Sequence, residues 1–235
     1  MKTTVIYHSA DKDGLFCRGI ARNFLLPEIE FIGWDFVDKP LPVPPEGTIY
    51  VMDLPVDRVF GDKFTGSTAS GWFAEKQFCS PEMLKRVVWL DHHKSSLESH
   101  PDTIPGYRID GVAACRLAWQ WFNLHLPKNN VTAWSDLRPS KQDFVDRRVH
   151  EPLAVRLAGE YDIWDHRGDG DVEFQFGLDS IDLTATAWVA MLDTDSDSDF
   201  ITRAIVDNGR VAMRCYAKRD ADVMRTRSFH IYWQG

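Results

Sequence analysis

The chain has 235 residues, of which 44% are hydrophobic and 26% charged, and it carries a formal net charge of −8. Those values describe an ordinary globular protein that can bury one large core, or one domain with a small appendage. They exclude a basic coat for long duplex DNA and, with no apolar run of spanning length, a membrane partner. A small phosphorylated ligand stays allowed, because bound divalent cations reverse the local field.

Met1-Lys2-Thr3-Thr4 leads straight into a strand rather than a signal peptide, which points to a cytoplasmic protein. Cys17, Cys79, Cys115 and Cys215 are scattered without a CxxC pair, so zinc-finger spacing is absent and reduced thiols in or near the core are expected. Thr3–Tyr7 is β-branched and apolar and reads as a strand with His8 at its end. A turn-like Ser9-Ala10-Asp11-Lys12-Asp13-Gly14 follows, then a helical pattern from Leu15 to about Leu26, closed by Pro27. Glu30–Trp34 is a second strand, and the prolines of Lys39–Pro45 forbid both helix and ladder. Thr48–Met52 is a buried strand ending in Asp53. Phe60–Phe78 reads as a surface excursion, and Pro81–Arg86 as a short helix feeding the strand Val87–Leu90. That strand runs into Asp91-His92-His93.

Beyond it, Tyr107–Ile109 is a short strand and Gly111-Val112-Ala113-Ala114-Cys115 opens a helix to about His125. Ser140 caps a helix over Lys141–His150, Pro152 starts one over Leu153–Glu160, and Gly168–Asp171 is a loop. Leu183–Leu192 is a buried helix, and the acidic run Asp193–Asp199 starts a long helix over Phe200–Arg227. Phe229–Trp233 is a final strand. Alternating strands and helices imply an α/β fold with a mostly parallel sheet flanked by helices and a long C-terminal helix. The expected division is a catalytic domain over residues 1–195 and a helical connector or tail over 196–235.

Three strands end in the same chemistry. The first delivers His8, Asp11 and Asp13, the third Asp53, and the fourth Asp91, His92 and His93. Parallel strands share a carboxyl edge, where open α/β sheets bind ligands. So many carboxylates and imidazoles in one place would repel or protonate if left alone. Divalent cations remove that conflict, and mixed oxygen and imidazole donors suit Mn²⁺, with Mg²⁺ as the alternative ion.

Four segments, in order, resemble the motifs of the DHH phosphoesterase superfamily: His8–Gly14, Asp53 after its strand, Asp91-His92-His93, and Tyr161-Asp162-Ile163-Trp164. The resemblance covers about residues 3–193. It implies two metal ions, the first on His8 and Asp11, the second on Asp13, His92 and Asp162, with Asp53 bridging. His93 would face the substrate phosphate as a catalytic group, and Asp91 would ligate or orient His92. A water held between ions roughly 3.5–4 Å apart would attack phosphorus in line. Lys94, Arg108, Arg116 and His166 are candidate further phosphate contacts, the competing reading for each being an ordinary surface or salt-bridge residue.

The family's second domain and its glycine-rich motif have no counterpart here. The resemblance therefore implies a minimal catalytic domain, or one whose second domain is missing or supplied by a partner; a homo-oligomer is one such arrangement. Three functions follow: hydrolysis of phosphodiesters in short oligonucleotides or small nucleotides, which we favour; a pyrophosphatase-like phosphoanhydride hydrolase; and a non-catalytic nucleotide-binding protein.

Overall fold

The computed structural model describes residues 2–25, 28–60, 85–99, 104–126, 138–181, 185–193 and 196–227. Five strands, β1 (Thr3–His8), β2 (Ile29–Trp34), β3 (Thr48–Met52), β4 (Val87–Asp91) and β5 (Gly106–Arg108), form one sheet in the order β2-β1-β3-β4-β5. Every neighbouring pair is parallel, with Tyr7 opposite Met52 and Met52 opposite Leu90. The registers bring the ends of β1, β3 and β4 to one edge. The chain reverses its direction across the sheet between β1 and β3, and such a switch point leaves a crevice beyond the strand ends.

Alternation along the strands divides the core. Tyr50 and Met52 join Val5, Val88, Leu90 and Tyr107 in one cluster. Ile49 and Val51 join Ile6, Val87 and Trp89 in the other. The larger cluster is covered by α1 (Lys12–Phe24), α4 (Ala114–His125), α6 (Leu153–Asp162), α7 (Asp171–Asp179), α8 (Ala185–Met191) and α9 (Ser196–Arg227). The smaller one meets α2 (Val56–Phe60), while α3 (Lys94–Ser99) adds Leu97 and the proline-rich loop adds Leu41 and Val43. Sheets covered on both faces have strands that read as continuous apolar runs, which is why these strands were visible in the sequence.

Several boundaries differ from those expected. Helix α1 starts at Lys12, not Leu15, because Asp11 caps it by accepting a hydrogen bond from Gly14 N (2.9 Å). Helix α4 opens at Ala114; the expected start, Gly111, lies in a turn at φ 76°. Ser140 does cap α5 (Lys141–Val145), through a full capping box with Asp143, but the helix ends at Val145 rather than His150. Arg147 sits at φ 56°, a conformation no helix continues through. Asp171 begins α7 instead of closing a loop, and α9 begins at Ser196 inside the acidic run, with Asp197 and Asp199 in its first turn. The missed α7 packs against α9 through glycines: a Cβ on Gly209 would lie 1.7 Å from Glu173 O, and one on Gly177 2.1 Å from Ile205 O. Thr202, Ile205 and Val206 of α9 are buried there, whereas Val211, Val223 and Met224 are exposed. Cys17 and Cys115 are buried, but Cys215 is exposed on α9, outside the expected core setting. The expected excursion over 61–78, the helix start at 81–84, Cys79 and the strand Phe229–Trp233 lie outside the described residues.

Candidate metal centre

The site begins with the junction of β1 and α1. Gly14 allows the first turn of α1 to lie against the end of β1, since a Cβ there would fall 2.0 Å from His8 O. This brings Asp11 back to His8, with Asp11 Oδ2 2.6 Å from His8 Nδ1. Asp11 therefore serves both readings open in the sequence, capping α1 with one oxygen and facing the site with the other. Asp53, just past β3, is buried at φ 58°, a left-handed conformation that Asp tolerates better than bulkier residues. Its Oδ2 is 3.4 Å from His8 Nδ1 and its Oδ1 is 3.4 Å from His92 Nε2, so one carboxylate spans two imidazoles. His92 Nε2 also lies 3.3 Å from Asp162 Oδ2 at the end of α6, and 3.7 Å from Asp13 Oδ2.

Among the described residues, three groups of donor atoms are close enough to hold a cation: His8, Asp11 and Asp53; Asp13, His92 and Asp162; and Asp53, His92 and His93. Within each group the candidate atoms lie within 4.8 Å of one another. The orphaned atoms support the fit. His8 Nδ1, Asp53 Oδ2 and Asp162 Oδ2 are buried and lie within ion-pair distance of other site residues, yet none has a hydrogen bond of good geometry, whereas such atoms are normally satisfied. A divalent cation among them would satisfy carboxylate and imidazole lone pairs together.

Electrostatics point the same way. Burial opposes charge on His8 and His92, but the surrounding carboxylates prevail and push both up to about 10. Burial raises Asp13 and Asp162 to about 7, helped for Asp13 by the negative charge of Asp53 and for Asp162 by that of Asp13. Protons on the two imidazoles thus offset the surplus of carboxylates in the metal-free protein. A cation would displace them.

The remaining side chains divide into site and scaffold. Asp13 accepts hydrogen bonds from Ala114 N and Cys115 N, both at 2.8 Å, so its carboxylate is anchored on the start of α4. Asp91 is fully buried and receives His92 N (2.8 Å), His93 N (3.3 Å) and the His93 ring at Nδ1 (2.7 Å). The ring that Asp91 orients is therefore His93, not His92. That contact leads the causes that raise the His93 pKa, against the lowering effect of burial. With Nδ1 held, Nε2 is the His93 nitrogen left to meet a ligand.

Of the four added phosphate contacts, Arg116 is corrected. It is buried, with Nε 3.0 Å and Nη2 2.5 Å from Glu151 Oε1, and serves as half of an internal ion pair. Arg108 is corrected as well, since its Nη1 donates to Trp89 O (3.2 Å) and its Nη2 to Ile104 O (2.9 Å). His166 is tied through Nδ1 to buried Asp171 (2.5 Å) and meets the Trp164 ring edge-on rather than joining a donor group. Lys94 is exposed, 3.9 Å from Glu98 on its own helix.

Two residues at the end of β2 had gone unnoticed. Asp35 Oδ1 lies 3.3 Å from His8 Nε2, and Phe36 packs its ring against His8 (5.3 Å between centroids) and His93 (6.4 Å). The signal was available, because a carboxylate directly after a strand is the pattern already read at β3 and β4. Trp164 is a separate oddity. Trp164 N donates to Tyr161 O and Asp165 N to Glu160 O, closing α6 in the pattern that normally has glycine at the left-handed position. Here Trp164 occupies it at φ 58°, 82% exposed.

The molecule is thus an α/β protein whose sheet edge carries carboxylate and imidazole groups able to hold a metal ion. No family model matches the chain, and no curated protein matches it. Among solved structures it is similar to an uncharacterized protein from Helicobacter pylori G27, at 14% identity and a TM-score of 0.44, over 90% of this chain and 63% of that one. The chain spans less than two thirds of that protein's length. No helix among the described residues is long and apolar enough to cross a membrane.

Proposed function

We propose that the chain is a DHH-type, metal-dependent phosphoesterase that hydrolyses phosphodiester bonds of short oligonucleotides or small nucleotides. The observation that carries this reading is the Asp53 carboxylate, which spans His8 and His92 at the switch point of the sheet. In the two-ion arrangement, His8 and Asp11 would hold one cation and Asp13, His92 and Asp162 the other, with Asp53 placed to serve both; Mn²⁺ would be the preferred ion. The bound cations supply Lewis acidity and a water activated near neutral pH. His93, held at Nδ1 by Asp91, presents Nε2 to the phosphoryl group, either donating a hydrogen bond to an equatorial oxygen or a proton to the leaving oxygen. Asp91 keeps that ring in one tautomer and favours its protonated form. Asp35 keeps the far side of the His8 ring in place.

The reading is tested by measuring Mn²⁺-dependent turnover of a dinucleotide, a short RNA and pyrophosphate side by side. Dinucleotide or RNA cleavage that is lost in Asp53→Ala is the expected result. Cleavage of pyrophosphate alone would move the chain to phosphoanhydride hydrolysis, and wild-type activity in Asp53→Ala would sink the shared-carboxylate arrangement.

A further inference from the structure

Phe36, just past the end of β2, touches buried Trp34 edge-on (5.8 Å between ring centroids), a contact that covers only part of its ring. The chain turns sharply after β2, with Asp38 N donating to Asp35 O (2.8 Å) and Asp35 N to Asp38 Oδ2 (2.8 Å). Phe36 N donates to Asp35 Oδ1 (2.7 Å), the same oxygen that faces His8 Nε2. The Phe36 ring is therefore positioned by the turn that braces His8. It is 49% exposed, although the apolar interior of the sheet lies one residue pair away at Trp34. Its ring stands edge-on to both His8 and His93, at 5.3 and 6.4 Å, so part of its surface remains open beside the group assigned to the phosphate. A flat apolar surface of this kind, fixed next to a phosphate position, matches a nucleobase. Base–aromatic stacking tolerates every base, because each has a π face.

We propose that Phe36 is a stacking platform for the base of the nucleotide whose phosphate meets His93, and hence a specificity-determining residue for nucleotides over base-free phosphates. The inference rests on the phosphoesterase reading for the place of the phosphate. Phe36 contributes contact area and holds no proton and no metal. Tyr161 and Trp164 are also exposed aromatics near Asp162, but both rings meet His166 rather than a donor of the three groups, and the more exposed Trp164 serves as the control.

The experiment is calorimetric binding to the full chain in Mn²⁺ of adenosine 5′-monophosphate and of ribose 5-phosphate. Binding is compared for wild type, Phe36→Ala, Phe36→Leu, Phe36→Trp and Trp164→Ala. Wild type should prefer the nucleotide by on the order of ten-fold. Phe36→Ala and Phe36→Leu should erase that preference, Phe36→Trp should keep it, and Trp164→Ala should keep it. The leucine variant retains apolar volume without a π face, so its behaviour separates stacking from packing. An unchanged preference in Phe36→Ala, no preference in wild type, or loss confined to Trp164→Ala overturns the proposal. Because binding needs no turnover, a retained Phe36 dependence in a protein that cleaves nothing would defeat the phosphoesterase reading and leave the stacking site standing.

Discussion

Two clusters of buried charge lie in this molecule, and they are built on opposite terms. In one, Arg116 is paired with Glu151, and Arg147 meets Glu160 through two parallel contacts of 2.8 Å while reaching Asp169. Each buried acid there faces a guanidinium in good geometry. At the carboxyl edge of the sheet, Asp11, Asp13, Asp53 and Asp162 crowd around His8 and His92, and buried oxygens are left without hydrogen bonds. Both places bury carboxylates beside basic side chains, guanidinium groups in the first and imidazoles in the second. What separates scaffold from site is whether the charges are already satisfied, since a fully paired cluster has nothing left to bind.

The comparison breaks first at its scaffold end. Glu151→Ala leaves Arg116 buried without its partner and should cost about 3–5 kcal/mol. Urea unfolding of the variant measures this; a loss below about 1 kcal/mol would show the pair to be as dispensable as an exposed one. At the site end, Asp53→Asn should weaken Mn²⁺ binding by at least on the order of a hundred-fold. It should do so without a comparable loss of metal-free stability, because it removes a carboxylate from a crowded cluster. Calorimetric titration and unfolding of the same variant check both halves. A stability loss like that of Glu151→Ala would put Asp53 on the scaffold side.

Protonation sharpens the contrast further. His8 and His92 are held at about 10 in the metal-free protein, so both carry protons at neutral pH that a cation must displace. Affinity for Mn²⁺ therefore falls as pH falls, by about ten-fold per pH unit for each proton displaced. Asp13 and Asp162, at about 7, should deepen the fall below neutrality, because their charged forms would be the ligands. Titrations at pH 6, 7 and 8 should show this slope; a flat profile would exclude the two imidazoles as ligands. The smallest effect belongs to Trp164, which stands where a helix end favours glycine. Trp164→Gly should stabilise the chain by about 0.5–1 kcal/mol, read as a raised urea midpoint. Destabilisation would mean that the exposed ring contributes contacts beyond those with His166.

Strand cores and their polar ends were legible in the sequence because both faces of the sheet are covered, so apolar runs stop where the chain emerges. Asp53 and His92 could be read together for that reason, whereas Asp162, at the end of α6, entered only through the resemblance of its motif. The ends of helices were less legible. Nothing local announces that Arg147 adopts φ 56° and stops α5, because Glu160 and Asp169 hold it there from other elements. Helix α7 was hidden for a similar reason: its weakly patterned residues are helical against α9, where Gly177 and Gly209 permit a close crossing.

Arg116 shows the limit most sharply. By sequence it was open between a phosphate contact and a salt-bridge residue; in three dimensions its side chain runs into the interior to Glu151, the salt-bridge alternative. Asp91 makes the reverse point, since its neighbour in sequence is His92 but the ring it holds is His93. The sequence by itself determined the α/β class, the parallel sheet and the kinds of groups at its edge, because those depend on periodicity and on strand ends. Only the tertiary structure decided which imidazole Asp91 holds, which cations are consumed internally, and that Asp35 and Phe36 border the site. Those are matters of direction and distance between segments, and charge pairing is settled over a few ångströms that chain order does not specify.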